Sequence, residues 1–150
     1  MSVEQLYQEI ILDHYRAKRN AGLRDPYEVE VHHVNPSCGD ELTLRVDVTD
    51  GAVTDISYDA EGCSISQAST SVMTELVIGG SPQNALDLYD GFQKMIQGQG
   101  KVSLDEETFG DAVAFEGVAQ FPARVKCAML GWSAVRDALL RVQAGAKEES

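Results

Sequence analysis

Basic residues are nearly absent from the middle of the chain. Between residues 27 and 121 there are three, Arg45, Lys94 and Lys101, against 17 acids. Over all 150 residues, 12 Lys and Arg stand against 24 Asp and Glu, a formal charge of -12. A nucleic-acid binder needs a basic footprint to meet phosphates, so that class is excluded. No apolar run approaches the ~20 residues of a membrane span. The opening Met-Ser-Val-Glu-Gln lacks a basic segment followed by an apolar one. No signal peptide is read there, and the expected compartment is the cytoplasm. Cysteine is scarce, at three residues. An odd count leaves one thiol over from any disulfide, and a reducing cytosol disfavours the bond. Buried thiols, a reactive thiol or metal ligands remain.

What is present suits a single α+β domain spanning 1–150. Apolar residues make up 43% of the chain, enough for an ordinary core. Leu6, Tyr7, Ile10, Ile11, His14 and Tyr15 follow helical spacing, which predicts a helix over 3–19 with Ser2 and Gln5 as a capping box. Asn20, Gly22 and Pro26 close it. Tyr27, Val29 and Val31 alternate with Glu28, Glu30 and His32; Leu42, Leu44, Val46 and Val48 alternate with polar residues more cleanly still. Asp50-Gly51 signals a tight hairpin, and a return strand follows from Val53 to Ala60. The expectation is a small antiparallel three-stranded sheet with one apolar face, covered by helices.

The second half reads as helical. One helix covers 63–78 and stops at Gly79-Gly80. Ser81-Pro82 opens another, running to about Gln97, and Gly98-Gln-Gly100 breaks it. Ser103 with Glu106 predicts a short capped helix ending near Gly110, while 111–121 is ambiguous. Pro122 opens a last helix whose buried stripe is Val125, Met129, Trp132, Val135 or Arg136, and Leu139. A polar tail from Gly145 is expected to fray. Nine of the twelve bases fall in residues 1–26 and 122–150. Should those ends meet, they would form a neutral-to-basic docking zone; the simpler reading is solvation of two amphipathic helices.

The cysteines occupy instructive places. Cys38 lies in the turn-rich Asn35-Pro36-Ser37-Cys38-Gly39-Asp40 between the first two strands. Cys63 follows Gly62 where the third strand gives way to a helix, and Cys127 sits in the second turn of the last helix. A three-strand meander brings the first loop and the end of the third strand to one edge. A helix crossing the sheet would bring Cys127 there too. Three thiolates and the Asp40 carboxylate make a four-coordinate set suited to Zn²⁺. Gly39 gives the backbone freedom to turn Cys38 and Asp40 toward one ion. A thiol at a helix N-terminus has a lowered pKa, which suits Cys63, and Arg124 and Lys126 would favour the Cys127 thiolate. No C-x-x-C pair is present, and structural buried cysteine is the competing reading. His32 and His33 point to opposite faces of a strand and do not chelate one ion. His14 reads as a satisfied core histidine. Met73, Met95 and Met129 read as packing residues, and Asp105-Glu106-Glu107 as a solvated first turn.

The segments Asn35–Asp40, Gly62-Cys63-Ser64-Ile65-Ser66 and Phe121-Pro122-Ala123-Arg124-Val125-Lys126-Cys127 together resemble the IscU/NifU-type iron–sulfur cluster assembly family. The likeness includes the opening Leu6–Tyr15 and covers nearly the whole chain. Lys126 stands where scaffold members carry histidine, and Gly98–Phe121 looks like an insertion within the 63 residues between Cys63 and Cys127. Both features resemble the SufU-like branch. The resemblance implies a zinc site of Cys38, Asp40, Cys63 and Cys127, with Cys38 as catalytic acceptor of persulfide sulfur from a SufS-type cysteine desulfurase. Arg124 would steer the sulfur or the partner. Other iron–sulfur assembly proteins are the further partners implied. The rival reading is a scaffold for a [2Fe–2S] cluster held by the same side chains, and a third is a purely structural zinc domain.

Overall fold

The computed structural model describes residues 2–36 and 39–149, with side-chain surroundings through residue 144. The order of elements is α1 (Val3–Ala17), β1 (Val29–Asn35), β2 (Asp40–Thr49), β3 (Ala52–Glu61), α2 (Ser64–Val77), α3 (Pro82–Ile96), α4 (Glu106–Phe109), a 3₁₀ helix (Gly110–Gln120) and α5 (Pro122–Glu149). The class is α+β, as expected. The sheet has order β1-β2-β3 and is antiparallel throughout. The side chains from Gly145 onward, where a frayed tail is expected, lie outside the described residues.

Pattern and register agree along the sheet. Leu42, Leu44 and Val46 of β2 are fully buried, and they pair with Ala60, Tyr58 and Ile56 of β3. Asp50 and Gly51 adopt φ of 52° and 77°, the left-handed conformations a two-residue hairpin turn requires. A register shift between Asp47 and Val48 lets Val48 pair with Val53. Helices α2 and α5 cover the apolar face, with α3 and the 3₁₀ helix beyond them. There Trp132 stacks on Phe92 at 4.6 Å, and Phe115 meets Phe92 edge-on at 6.0 Å. Trp132, Phe92 and Phe115 are all fully buried, each removing a large apolar surface from water. Met73, Met95 and Met129 are packed in this core.

Several boundaries differ from the sequence reading, each for a local reason. Helix α1 stops at Ala17 because Lys18 turns left-handed, with φ of 45°; the Ser2–Gln5 capping box is present in both directions. β1 begins at Val29, later than expected, since Tyr27 leaves the alternation to lie under the Arg45 guanidinium at 4.3 Å. The cap of α4 is Asp105, whose carboxylate accepts from Glu107 N–H and Thr108 Oγ1–H. Ser103 instead bonds the Glu116 carboxylate. The ambiguous 111–121 stretch forms a 3₁₀ helix with Ala112, Phe115 and Val118 inward. On α5 the buried stripe takes Val135 and leaves Arg136 exposed over the Tyr89 ring.

Among the described residues, three of the nine terminal bases form ion pairs within the chain. Arg19 pairs with Glu75 and Asp13, Arg24 with Asp55, and Arg141 with Asp137. Helices α1 and α5 each pack on α2. His14 behaves as the sequence suggests: it is buried, with Nδ1 2.9 Å from Ser71 Oγ and Nε2 2.8 Å from Asp111 Oδ2. A carboxylate only accepts, so Nε2 carries the proton toward Asp111; in the neutral ring Nδ1 then accepts from Ser71. Ser71 Oγ in turn accepts the Arg19 backbone N–H at 3.1 Å. This chain ties α1 to α2 and to the 3₁₀ helix. It matters because α1 buries only His14 fully and leaves Val3, Leu6 and Leu12 exposed. His33 and His32 do face opposite ways, to Asp137 at 2.9 Å and to Glu41 at 2.9 Å.

His14→Ala is expected to cost about 2 kcal/mol, the scale of a buried polar group losing its partner. Hydrogen exchange should then rise over α1 well before β2. Equal loss of protection in both would show that α1 is not held by this bond. Asp137 accepts from His33 and Arg141, and these bonds hold its carboxyl below the ordinary value. A lowered folded pKa gives stability above the unfolded value of ~3.9 that disappears as pH falls through the folded one. Asp137→Asn should therefore lose about 0.5–1 kcal/mol at neutral pH. In denaturant titrations from pH 7 to pH 2 it should converge with the parent at the acid end.

Candidate metal centre

Register and helix starts build the centre. Asn35 pairs with Asp40 and Glu41 with Glu61, so the start of β2 lies beside the end of β3. The chain then turns at Gly62, and Cys63 becomes the N-cap of α2, with φ of -72° and ψ of 163°. Helix α5 packs on α2, β1 and β2, bringing Cys127 to the same edge. The donor atoms of Asp40, Cys63 and Cys127 all lie within 4.8 Å of one another. Three elements distant in sequence thus converge as the loop argument predicts. Cys38 is outside the described residues, two positions before Asp40 in sequence. Arg124 is exposed in the first turn of α5.

The Asp40 carboxylate decides what the centre can do. Asp40 is fully buried, yet no Lys, Arg or His pairs with it among the described residues. Its Oδ1 accepts the Cys63 backbone N–H at 2.8 Å, and Oδ2 lies 3.7 Å from Cys63 Sγ. A buried charge is tolerated when paired or when it binds a metal. Here the neighbours are two thiols and the N-terminus of α2, whose dipole favours anions. Cys127 is also buried, its thiol 3.7 Å from the Ala123 carbonyl one turn earlier. With M–S of ~2.3 Å and M–O of ~2.0 Å, a tetrahedral S···O edge is ~3.5 Å. The 3.7 Å between Cys63 Sγ and Asp40 Oδ2 fits that edge. A thiolate-rich set with one carboxylate suits Zn²⁺ or iron and not a hard oxygen-seeking cation.

Two residues that the sequence reading left without a role support the carboxylate. Gly62 has φ of +147°, and a Cβ there would come within 2.1 Å of Asp40 Oδ1. Only glycine leaves room for the acid. Gln67, one turn into α2, donates from Nε2 to the Gly62 carbonyl at 2.9 Å and fixes that turn. The signal in the sequence was the glycine directly before Cys63. Nothing local marked Gln67, since its partner is set by the turn geometry.

Comparisons with known proteins agree with this geometry. Residues 6–128 match the family described as NifU-like N terminal domain. Over 145 residues the chain is 39% identical to the zinc-dependent sulfurtransferase SufU of Bacillus subtilis (strain 168), covering 96% of each chain. It is 40% identical over 139 residues to the iron-sulfur cluster assembly scaffold protein IscU of Streptococcus pyogenes serotype M1, covering 93% of this chain and 86% of that one. The crystal structure of a nitrogen-fixing NifU-like protein (N-terminal) from Brucella abortus matches with a TM-score of 0.83 at 26% identity, over 95% of this chain and 99% of that one. Among the described residues no helix is long and apolar enough to cross a membrane. The chain belongs to the NifU-like N-terminal domain family, among relatives named as a zinc-dependent sulfurtransferase and as an iron–sulfur cluster assembly scaffold.

Proposed function

We propose that this protein serves iron–sulfur cluster assembly as a zinc-dependent sulfurtransferase, taking persulfide sulfur from a SufS-type cysteine desulfurase in the cytoplasm. The observation that carries the reading is the buried Asp40 carboxylate, clustered with Cys63 and Cys127 and without a Lys, Arg or His partner among the described residues, two positions after Cys38 in sequence. Support comes also from the likeness to the Bacillus subtilis sulfurtransferase. Cys38, Asp40, Cys63 and Cys127 are the proposed zinc ligands. Bound zinc would keep the thiols deprotonated at neutral pH and shield them from oxidation.

The chain's own residues divide the work. Asp40 sits in a strand, Cys63 caps α2 and Cys127 lies in the second turn of α5, so these three hold their places. Cys38 falls in the turn-rich sequence Asn35-Pro36-Ser37-Cys38-Gly39-Asp40 and is the proposed acceptor. Its thiolate would attack the outer sulfur of the desulfurase persulfide. A new S–S bond forms at Cys38, the old one breaks, and the electron pair leaves with the desulfurase thiolate; no outside oxidant or reductant is needed. The exposed Arg124 cation would draw the anionic persulfide toward the centre. The second reading, a scaffold for a [2Fe–2S] cluster on the same side chains, is favoured by the equal likeness to the Streptococcus pyogenes scaffold.

Elemental analysis of the purified protein separates the two: about one zinc per chain without colour supports transfer, and iron with acid-labile sulfide supports the scaffold. Cys38→Ala is expected to abolish stimulation of the desulfurase while far-ultraviolet circular dichroism stays that of the parent. Undiminished stimulation would remove Cys38 from the acceptor role. Arg124→Glu should slow sulfur uptake by about tenfold at low salt, with the gap closing as ionic strength rises, as for an electrostatically steered encounter.

A further inference from the structure

Helix α2 carries an unusual interior. Ser66, Ser69, Thr70, Ser71 and Thr74 are all buried, although a helix between a sheet and other helices normally presents larger apolar side chains there. Two of these residues meet α5 next to the metal centre. Ser69 Oγ–H donates to the Ala128 carbonyl at 2.6 Å, one residue beyond Cys127. One step further, α5 has Gly131 against Thr70. A Cβ on residue 131 would lie 2.4 Å from Thr70 Oγ1, 3.0 Å from its Cβ and 3.1 Å from its Cα. The two helices are in near-backbone contact at this point.

We propose that Ser69, Thr70 and Gly131 form a positioning contact that sets the separation of Cys63 and Cys127, and so the geometry and affinity of the metal centre. This role rests on the reading of Asp40, Cys63 and Cys127 as metal ligands. Contacts rise in the same order along both helices, Cys63 with Cys127, Ser69 with Ala128, Thr70 with Gly131. Both helices thus run the same way from the centre, α2 from its N-cap and α5 from its second turn, and their spacing at Gly131 is transmitted along about 6 Å of α5 and 10 Å of α2 at 1.5 Å per residue. Ordinary contact begins at 3.4 Å, so a methyl group at 131 requires about 1 Å of extra room beside Thr70 Oγ1. Metal–ligand distances tolerate about 0.2 Å. A helix shift that a hydrophobic core absorbs is therefore several times what the donor set accepts. The Ser69 bond adds the second constraint, since it fixes the height of the α5 turn that holds Cys127.

The test uses the full-length protein loaded with Co²⁺, whose visible absorption reports ligand geometry, and zinc affinity measured by chelator competition. Gly131→Ala is expected to shift the cobalt bands and weaken zinc binding at least tenfold. Thr70→Ala in the same chain removes the closest clash and should recover most of that loss. Ser69→Ala, which adds no bulk, should weaken zinc binding three- to tenfold with a smaller band shift. Thermal midpoints of the metal-free variants identify a change in folding alone. A lowered midpoint with unshifted bands and zinc affinity within twofold of the parent would overturn the role. A parent that binds neither Co²⁺ nor Zn²⁺ overturns the centre and the role together. Intact, tunable metal binding without sulfur transfer leaves the role standing and removes only the transfer reading.

Discussion

Withdrawing the Asp40 carboxylate from water constrains everything around it. A lone carboxylate in a protein interior is costly enough that it normally takes up a proton or acquires a partner. Here the chain supplies a partial partner, the Cys63 amide at 2.8 Å, at the positive end of α2. That single bond joins the first residue of β2 to the residue that caps α2, so the sheet and the helix agree on where the thiol stands. Gly62 is the consequence: the approach is so close that any side chain there would collide with Oδ1. One oxygen is committed to the backbone, and the other faces Cys63 Sγ.

The same economy of space recurs on the far side of the centre. Helix α2 packs against α1, α5, β3 and the 3₁₀ helix, and small hydroxyl side chains let those neighbours approach. Each hydroxyl then needs a bond in place of the water it lost. Ser69 finds the Ala128 carbonyl, Thr70 the Ser66 carbonyl, Thr74 the Ser71 carbonyl, and Ser71 meets His14. A helix filled with leucine would hold its neighbours farther away and with less directional preference. Hydrogen bonds at fixed heights define one register between helices, which a centre built from both of them requires.

The legible parts of the sequence were those that depend on local chemistry. Alternation in Leu42–Val48, the Asp50-Gly51 turn, the Ser2–Gln5 box and the Ser81-Pro82 start each state their structure within a few residues. The meander alone brings Asp40 and Cys63 to one edge, because antiparallel pairing leaves the first loop and the last strand end nowhere else to go. Cys127 needed one further step, a helix crossing the sheet. The Thr70–Gly131 approach and the Gln67 bond were not legible, since both depend on how helices and turns seat in three dimensions. Ser103 was misread as a cap because the rule gives equal credit to any serine three residues before a glutamate. Asp105 is nearer the first turn and has two acceptor oxygens with which to hold it.

The Gly98–Phe121 segment shows how an apparent insertion can be structural to the site. Its 3₁₀ helix packs on α1, α3 and α5 and presents Asp111 to the buried His14. Helix α1 has little apolar burial of its own, so this bond and its Ser71 continuation anchor it to α2. The route from this segment to the donor set is then short: Asp111 to His14, His14 to Ser71, and along α2 to Cys63. Cys63 caps α2, Cys127 lies in the second turn of α5, and Asp40 starts a strand. The proposed fourth, Cys38, lies in the connection between β1 and β2. The inserted-looking stretch thus bears on the helix that carries Cys63 through buried polar bonds, while the packing of α5 on α2, β1 and β2 sets where Cys127 stands.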